Sequence, residues 1–504
     1  MQIDFAIFKS RRRLTVINVG PRPGAVPLKN PIYGELEMSI AHLDSARQTG
    51  PAAEFGLGLY TREGRSLLRL AAPIMLIALV NMGMSVTDAA MVSVMFGADA
   101  LAAVAVGSDF YSIVFYLGAG ILGGLAPFYT AATVRSDAAE TARLLRIGWL
   151  MVGLIATVVV PLVWFSPNWL PLLGLDAKLL EQGQGYTRAM ALTLVPMLGV
   201  MLYRTVLTAA EKPKVFLKVT VVMLPLNALG NYIFMNGFGP VPAFGPTGTG
   251  ISTLLVASAS LAILIVIARR ASRRAVAAPV DASVARTSVD WRGLATVLRV
   301  GLPIGITAVA EVGVFLAATI YAATQSAADV AAHTLTLRTA GVAYAIPAAL
   351  LQASMVRMAR AHSQGDSGAD RAVFASSLAI SLAFGALIVL LLASGAGPLA
   401  AAFFDDSPAG VAAAGLAVGL LVLLGVMEFI FTPGAAAAGL LRGRKDTRMP
   451  MIYALVGHWA VGAPLGVYLC EWHGLGVTGI WIGLSAGTLL TTSLTLRRLF
   501  VLRQ

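Results

Sequence analysis

From Leu67 to Leu502 the chain is a succession of apolar runs. Each is close to the roughly 20 residues that an α-helix needs to cross the hydrocarbon of a bilayer. Backbone amides in hydrocarbon must find partners within the protein, so only helices or a closed barrel can span it. A barrel would show short strands alternating polar and apolar residues, and these runs do not alternate. Only 12% of the 504 residues are charged and the mean hydropathy is +0.79, whereas a soluble domain carries about a quarter charged residues. The 51 glycines and 24 prolines suit packed membrane helices. The expectation is an all-α polytopic membrane protein.

Twelve spans are expected, near 66–93, 101–132, 143–166, 185–210, 214–237, 246–270, 294–323, 328–358, 371–394, 411–441, 447–470 and 475–500. Arginine and lysine crowd into alternate connections, among them Arg62/Arg65/Arg69, Arg269–Arg274, Arg357/Arg360 and Arg442–Arg448, while the other connections are nearly free of them. The positive-inside rule places both termini in the cytoplasm, and an even span count agrees. The net charge of +12 is read as this loop signal, with no nucleic-acid partner. Residues 1–64 are expected to be a polar, disordered cytoplasmic tail, with Met38 as an alternative start. The single cysteine, Cys470, excludes an internal disulfide.

The runs also repeat. Arg69-x-x-x-Pro73 matches Arg299-x-x-x-Pro303, and Ala98-Asp99-x-x-Ala102 matches Ala328-Asp329-x-x-Ala332, both at one offset (303 − 73 = 230). Gly245-Pro-Thr-Gly-Thr-Gly-Ile matches Gly474-Leu-Gly-Val-Thr-Gly-Ile at an offset of 229 (474 − 245). The chain therefore reads as two six-helix lobes, 65–270 and 294–504, joined by a basic cytoplasmic linker at 271–293. Six spans per lobe give both halves the same orientation, related by a pseudo-two-fold along the membrane normal with a cavity between them.

Each half then serves as a control for the other. The first lobe holds Asp88, Asn227, Asn231 and Thr253 within spans, where the second has Ala318, Val456, Ala460 and Ile482. Asn227 and Asn231 are spaced i, i+4 and share one helix face. The oxygens of the whole cluster suit a proton or a hard cation such as sodium; the plainer alternative is hydrogen bonding between helices. The second lobe holds Glu311, whose counterpart is Asn81, and Glu428, with Arg338 as a possible ion-pair partner for either. An acid inside a bilayer costs several kcal/mol unless it is neutralised or solvated, which marks it as functional. His333 is expected at the outer interface, His458 as a hydrogen-bonded packing residue, and Pro433 as a hinge near Glu428. No Walker motif, Cys/His metal set or catalytic triad is present, so the chain is expected not to be an enzyme and to need no cofactor beyond a coupling proton or sodium ion.

At these residues the sequence resembles the multidrug and toxic compound extrusion (MATE) family, in its NorM-like branch. The resemblance covers Arg65 to Leu502. It rests on LAAPIMLIALVNMGMSVTDAAMVS with Asp88, LAAVAVGS, PLNALGNYIF with Asn227 and Asn231, GLPIGITAVAEVGVF with Glu311, AAHTLTLR, and AGLLRGRKD ending at Asp446. It implies a cation-coupled antiporter of the bacterial inner membrane, acting as a monomer. Such a protein exports small amphiphilic cations by rocking between inward-open and outward-open states. It also implies that Asp88, Asn227, Asn231 and Thr253 form a first-lobe ion or proton site and that Glu311 is the second-lobe acid. Related sequences often carry an aspartate where this chain has Phe431; Glu428 lies one turn earlier on the same face and is the expected substitute. Asp88 and Glu311 are expected to bind the coupling ion and the cargo competitively, and Phe431 and Met427 are candidates for contact with aromatic cargo. The alternative is a lipid-linked precursor flippase of the wider superfamily, whose cavity would be rich in Arg and Lys.

Overall fold

The computed structural model describes residues 54–174, 176–275 and 290–502. The expected tail up to residue 53 and most of the expected linker lie outside them. Residues 58–504 form one compact unit; of the other, 1–57, only 54–57 are described. Glu54–Gly64, expected to be tail, is helix.

Among the described residues, eleven helical stretches are long and apolar enough to cross a membrane. The first, Gly58–Val134, has 77 residues, which at 1.5 Å per residue is about 115 Å, far beyond one crossing. Gly97 breaks it with φ 86° and ψ −178°, a conformation open to glycine alone. It therefore supplies spans 1 and 2, and the described residues hold twelve spans. Span 2 ends as Ala126–Val134. Then follow span 3, Ala138–Trp164, span 4, Gln184–Ala209, span 5, Pro213–Asn236, and span 6, Thr247–Ala275. The second lobe has span 7, Trp291–Ala322, span 8, Ala327–Ala343 with Ala345–Gln364, span 9, Ser367–Phe403, and span 10, Pro408–Gly443. Span 11 runs from Arg448 to Glu471 and span 12 is Gly476–Val501. Among the described residues there is no strand, only a bridge between Phe238 and Val241.

Polar residues set the helix starts. Asp137, Asp290, Ser326, Asp366 and Ser407 each accept a backbone N–H of the first turn, as good N-caps do. Pro433 does not break span 10, which stays continuous. The irregularity falls instead in span 11, where Leu455–Gly462 is a π-helix. Along that span Gly457, Gly462 and Gly466 lie directly on the backbone of Gly487, Gly483 and Ile480 in span 12. Small residues permit this approach, and dispersion then holds the pair.

Each lobe has its own apolar core. One is built around Leu122, Met151, Leu194 and Leu198, the other around Leu335, Leu420, Leu424 and Trp481. The lobes meet near the arginine-rich ends of their helices. There Leu67, Leu70 and Ile74 of span 1 pack on Leu350, Ala353 and Val356 of span 8. Gly120 and Gly124 of span 2 cross Gly305 and Gly301 of span 7; a Cβ on Gly120 would lie 2.6 Å from the Gly305 Cα. Polar contacts tie the same end. Arg357 Nε donates to Glu63 Oε2 at 3.1 Å and Nη1 to Glu211 Oε1 at 2.6 Å. Arg143 Nε donates to Asp290 Oδ2 at 2.7 Å. The Gly293 amide and the Arg143 guanidinium together hold the Asp290 carboxyl below its ordinary range.

Candidate functional site

In the first lobe span 1 carries Asp88 against the face of span 5 that bears both carboxamides. Asn227 Nδ2 and Asn231 Nδ2 each donate to Asp88 Oδ1 at 2.6 Å. Asn227 is 1% exposed and Asn231 is 0% exposed. The amide oxygens of both lack a hydrogen-bond partner among the described residues. Ser252 on span 6 braces the pair by donating to the Asn227 carbonyl at 3.0 Å. No Lys, Arg or His is within ion-pair distance of Asp88 among the described residues. The arrangement is thus a carboxylate held by two neutral donors, with unpaired amide oxygens beside it. The carboxylate can take a proton, and the amide oxygens are hard ligands for a cation, without a guanidinium being displaced first. Thr253 is not joined to this set; its hydroxyl donates to the Thr249 carbonyl.

In the second lobe Glu311 lies near the middle of span 7. Trp459, carried by the π-helix of span 11, donates its indole N–H to the neighbouring Ala310 carbonyl at 3.0 Å. The cation within electrostatic reach of Glu311 is Arg442, not Arg338, the possible partner named from the sequence; Arg338 acts on Asp109 of span 2. Arg442 is no loop residue: it is in the last turn of span 10 and 8% exposed. Glu428 is 3% exposed with Oε2 unpartnered. One turn on, Phe431 stacks on Tyr344 with centroids 5.8 Å apart. Met427, expected to touch cargo, is 3% exposed inside the apolar core of its lobe.

Two histidines depart from expectation. His333 is 1% exposed rather than interfacial. Trp481 Nε1 donates to its Nδ1 at 3.1 Å, so its proton sits on Nε2, which donates to Thr319 Oγ1 at 3.0 Å. His458 is buried in the π-helix with neither ring nitrogen partnered among the described residues.

The family model MatE matches residues 73–233 and again 303–468. The two matches begin at the paired prolines, 230 residues apart (303 − 73), and together cover well over half of the chain. The chain belongs to the MatE family. It is therefore a transporter and not an enzyme. A probable multidrug resistance protein NorM of Mesorhizobium japonicum is 32% identical over 447 residues, 87% of this chain and 94% of that protein. One of Agrobacterium fabrum is 30% identical over 452 residues, 89% and 95% of the two chains. Among solved structures, the eukaryotic MATE transporter AtDTX14 superposes with a TM-score of 0.77 at 16% identity, covering 88% of this chain and 96% of its own. An outward-facing multidrug resistance MATE family transporter gives 0.77 at 17%, covering 89% and 98%.

Within this MatE chain two aromatic residues are mid-span yet open. Tyr116 of span 2 is 46% exposed and Tyr344 of span 8 is 43% exposed. They are electrostatic neighbours across the lobes. Asp109 and Arg338 are a second pair of electrostatic neighbours, one on span 2 and one on span 8. Asp109 could have been found from sequence, since the cost of an intramembrane acid applies to it as to Asp88.

Proposed function

We propose that the protein is a cation-coupled antiporter that exports small amphiphilic organic cations and drugs across the bacterial inner membrane by alternating access. The carrying observation is the Asp88 site: a carboxylate held by Asn227 and Asn231 with no cationic partner. With no cationic side chain beside it, its charge is cancelled by a proton or a cation arriving from solution. Protonation removes the acceptor that both carboxamides share, and a local change of bonding between spans 1 and 5 then biases one conformer of the lobe pair. Glu311 would attract the cationic end of the cargo from the interlobe space, so ion and cargo alternate. With the arginine-rich end in the cytoplasm, the closed contacts lie on the inner side and the space opens outward. The NorM relatives, named as multidrug resistance proteins, support the cargo class.

The test is efflux of a cationic dye from proteoliposomes, with pH and sodium gradients imposed separately. Asp88→Asn and Glu311→Gln are each expected to abolish gradient-driven export while the protein still inserts. Wild-type rates in both variants would overturn the assignment.

A further inference from the structure

At the ends away from the arginine-rich contacts, the two lobes use a pair of equivalent aspartates differently. Asp99 and Asp329 are counterparts (329 − 99 = 230). Asp329 Oδ1 accepts the Val477 N–H at the start of span 12 at 3.1 Å. A Cβ on Gly476, which has φ 52°, would lie 2.8 Å from the same oxygen, so the carboxylate seats there because that residue is glycine. In the first lobe Thr247 takes the place of Gly476 (476 − 247 = 229), and a side chain at that place denies Asp99 the seat. The Gly248 N–H, counterpart of that of Val477, goes instead to the Gly245 carbonyl at 2.9 Å. Asp99 is left exposed, with no hydrogen bond or ion pair among the described residues.

What Asp99 lines instead is a cavity of about 290 Å³, shared with Phe96, Gln182, Tyr186 and Thr247. At about 30 Å³ per water, that is room for several. Asp99 and Tyr186 are the titratable groups of its wall, which holds no Lys, Arg or His. Tyr186, on span 4, is buried. Its ring is seated on glycines of two neighbouring spans: a Cβ on Gly107 or on Gly250 would lie 3.3 or 3.2 Å from it. Tyr186 belongs to the apolar core that holds Val92, with Met91 packed against that core. Met91 Sδ is 3.9 Å from Asn231 Nδ2, the same nitrogen that bonds Asp88. Along span 1, Phe96 is eight residues beyond Asp88 (96 − 88), a rise of about 12 Å. The cavity therefore lies a short way beyond the Asp88 cluster in the same lobe, with Tyr186 and Met91 in the packing between.

We propose that this cavity is a vestibule through which the coupling cation, hydronium or hydrated sodium, enters the first lobe on its way to Asp88. Asp99 gathers the ion at the mouth and Tyr186 forms the inner wall. A carboxylate with no partner at the rim of a wet cavity raises the local concentration of cations. The same carboxylate in the second lobe is committed to a helix start and cannot. The vestibule rests on the reading of Asp88 as the coupling site, and gives the ion a route separate from the space between the lobes.

The test measures dye export by the full chain in proteoliposomes against the concentration of the driving ion, with sodium and pH gradients imposed separately. Asp99→Asn should raise the half-saturating ion concentration about three-fold or more with the maximal rate unchanged, and Asp99→Glu should restore it. The gradient under which the shift appears names the ion. Asp329→Ala, which loses a helix cap, should leave half-saturation alone and lower Tm by about 1–2 °C, whereas Asp99→Ala should leave Tm unchanged. In a Cys470→Ser background, Ala100→Cys in the cavity wall and its counterpart Val330→Cys are labelled with trimethylammonioethyl methanethiosulfonate before reconstitution. Export should be lost in the first and kept in the second. No shift in Asp99→Asn under either gradient, an equal fall in Tm in the two alanine variants, or the same export by both labelled proteins overturns the vestibule and leaves the coupling reading standing. Wild-type export by Asp88→Asn sinks both.

Discussion

Removing Arg357 should open the arginine-rich end of the molecule, by an amount the burial of its partners sets. The Arg357 side chain is 11% exposed and Glu63 9%, while Glu211 is 29% exposed. Arg357→Ala leaves Glu63 buried without a counter-charge, at a cost of about 3–5 kcal/mol. The Glu211 arm is more hydrated, so its loss adds only about 0.5–1 kcal/mol. Both arms join one lobe to the other, so nearly all of this falls on the conformer in which that end is shut. At about 1.4 kcal/mol per factor of ten, 3 kcal/mol moves the balance about a hundredfold. The assay is cysteine accessibility. Ala353 is 0% exposed in the seam between spans 1 and 8, and Ala353→Cys in a Cys470→Ser background reports on that seam alone. In inside-out vesicles a membrane-impermeant maleimide should label it at least about ten-fold faster once Arg357 is alanine. Replacing both charges, Arg357→Met with Glu63→Leu, should restore protection, because an apolar pair in place of a buried ion pair is close to neutral. Unchanged labelling in an Arg357→Ala protein of ordinary Tm refutes the reasoning.

Other changes follow from single contacts. Gly124→Leu drives a side chain into the Gly301 backbone, and overpacking of about 1–3 kcal/mol should lower Tm and raise labelling at the same seam. Trp481→Phe removes the N–H that fixes the His333 tautomer and should cost about 1 kcal/mol in thermal unfolding, with dye export unchanged. Glu211 has φ 56°, so Glu211→Gly should relieve about 1 kcal/mol of backbone strain; the expected result is an unchanged or raised Tm together with faster labelling, two readouts that a merely damaged protein would not separate.

The fold was legible because bilayer physics leaves few options: apolar runs of one length, basic residues on alternate connections, and a shared offset between halves. The Asp88 cluster was legible for a related reason, since the i, i+4 spacing of Asn227 and Asn231 put two donors where a buried acid needs them. Arg442 was not. Its burial depends on Gly439 and Gly443 lying on the backbone of Leu351 and Met355, a packing between spans 8 and 10 that no local pattern reports. His333 required Trp481, 148 residues away. The π-helix at Leu455–Gly462 has no hydrophobic period to announce it, and Trp459 and His458 take their directions from it. Met427 was misplaced because an apolar residue one position before a functional acid looks the same whether it faces a cavity or the core.

The closure at the arginine-rich end is itself built from the repeat. Glu211 and Lys445 occupy equivalent connections, after spans 4 and 10, and both are held left-handed, at φ 56° and φ 66°. That conformation costs a non-glycine residue about 1–2 kcal/mol, so its presence in both lobes calls for a return. In each case the side chain reaches the other lobe: Glu211 bonds Arg357 on span 8, and the Lys445 ammonium lies 4.2 Å from the ring centroid of Phe128 on span 2. Spans 2 and 8 are themselves counterparts. The geometry of the cross-lobe contact is thus conserved between the halves while its chemistry is not. One arm is part of a buried ion network, the other a cation–π contact worth about 0.5–2 kcal/mol. A closure with one strong and one weak arm yields first at the weak one. Under the alternating access proposed above, Lys445 is therefore expected to part from Phe128 before Arg357 releases Glu63 and Glu211.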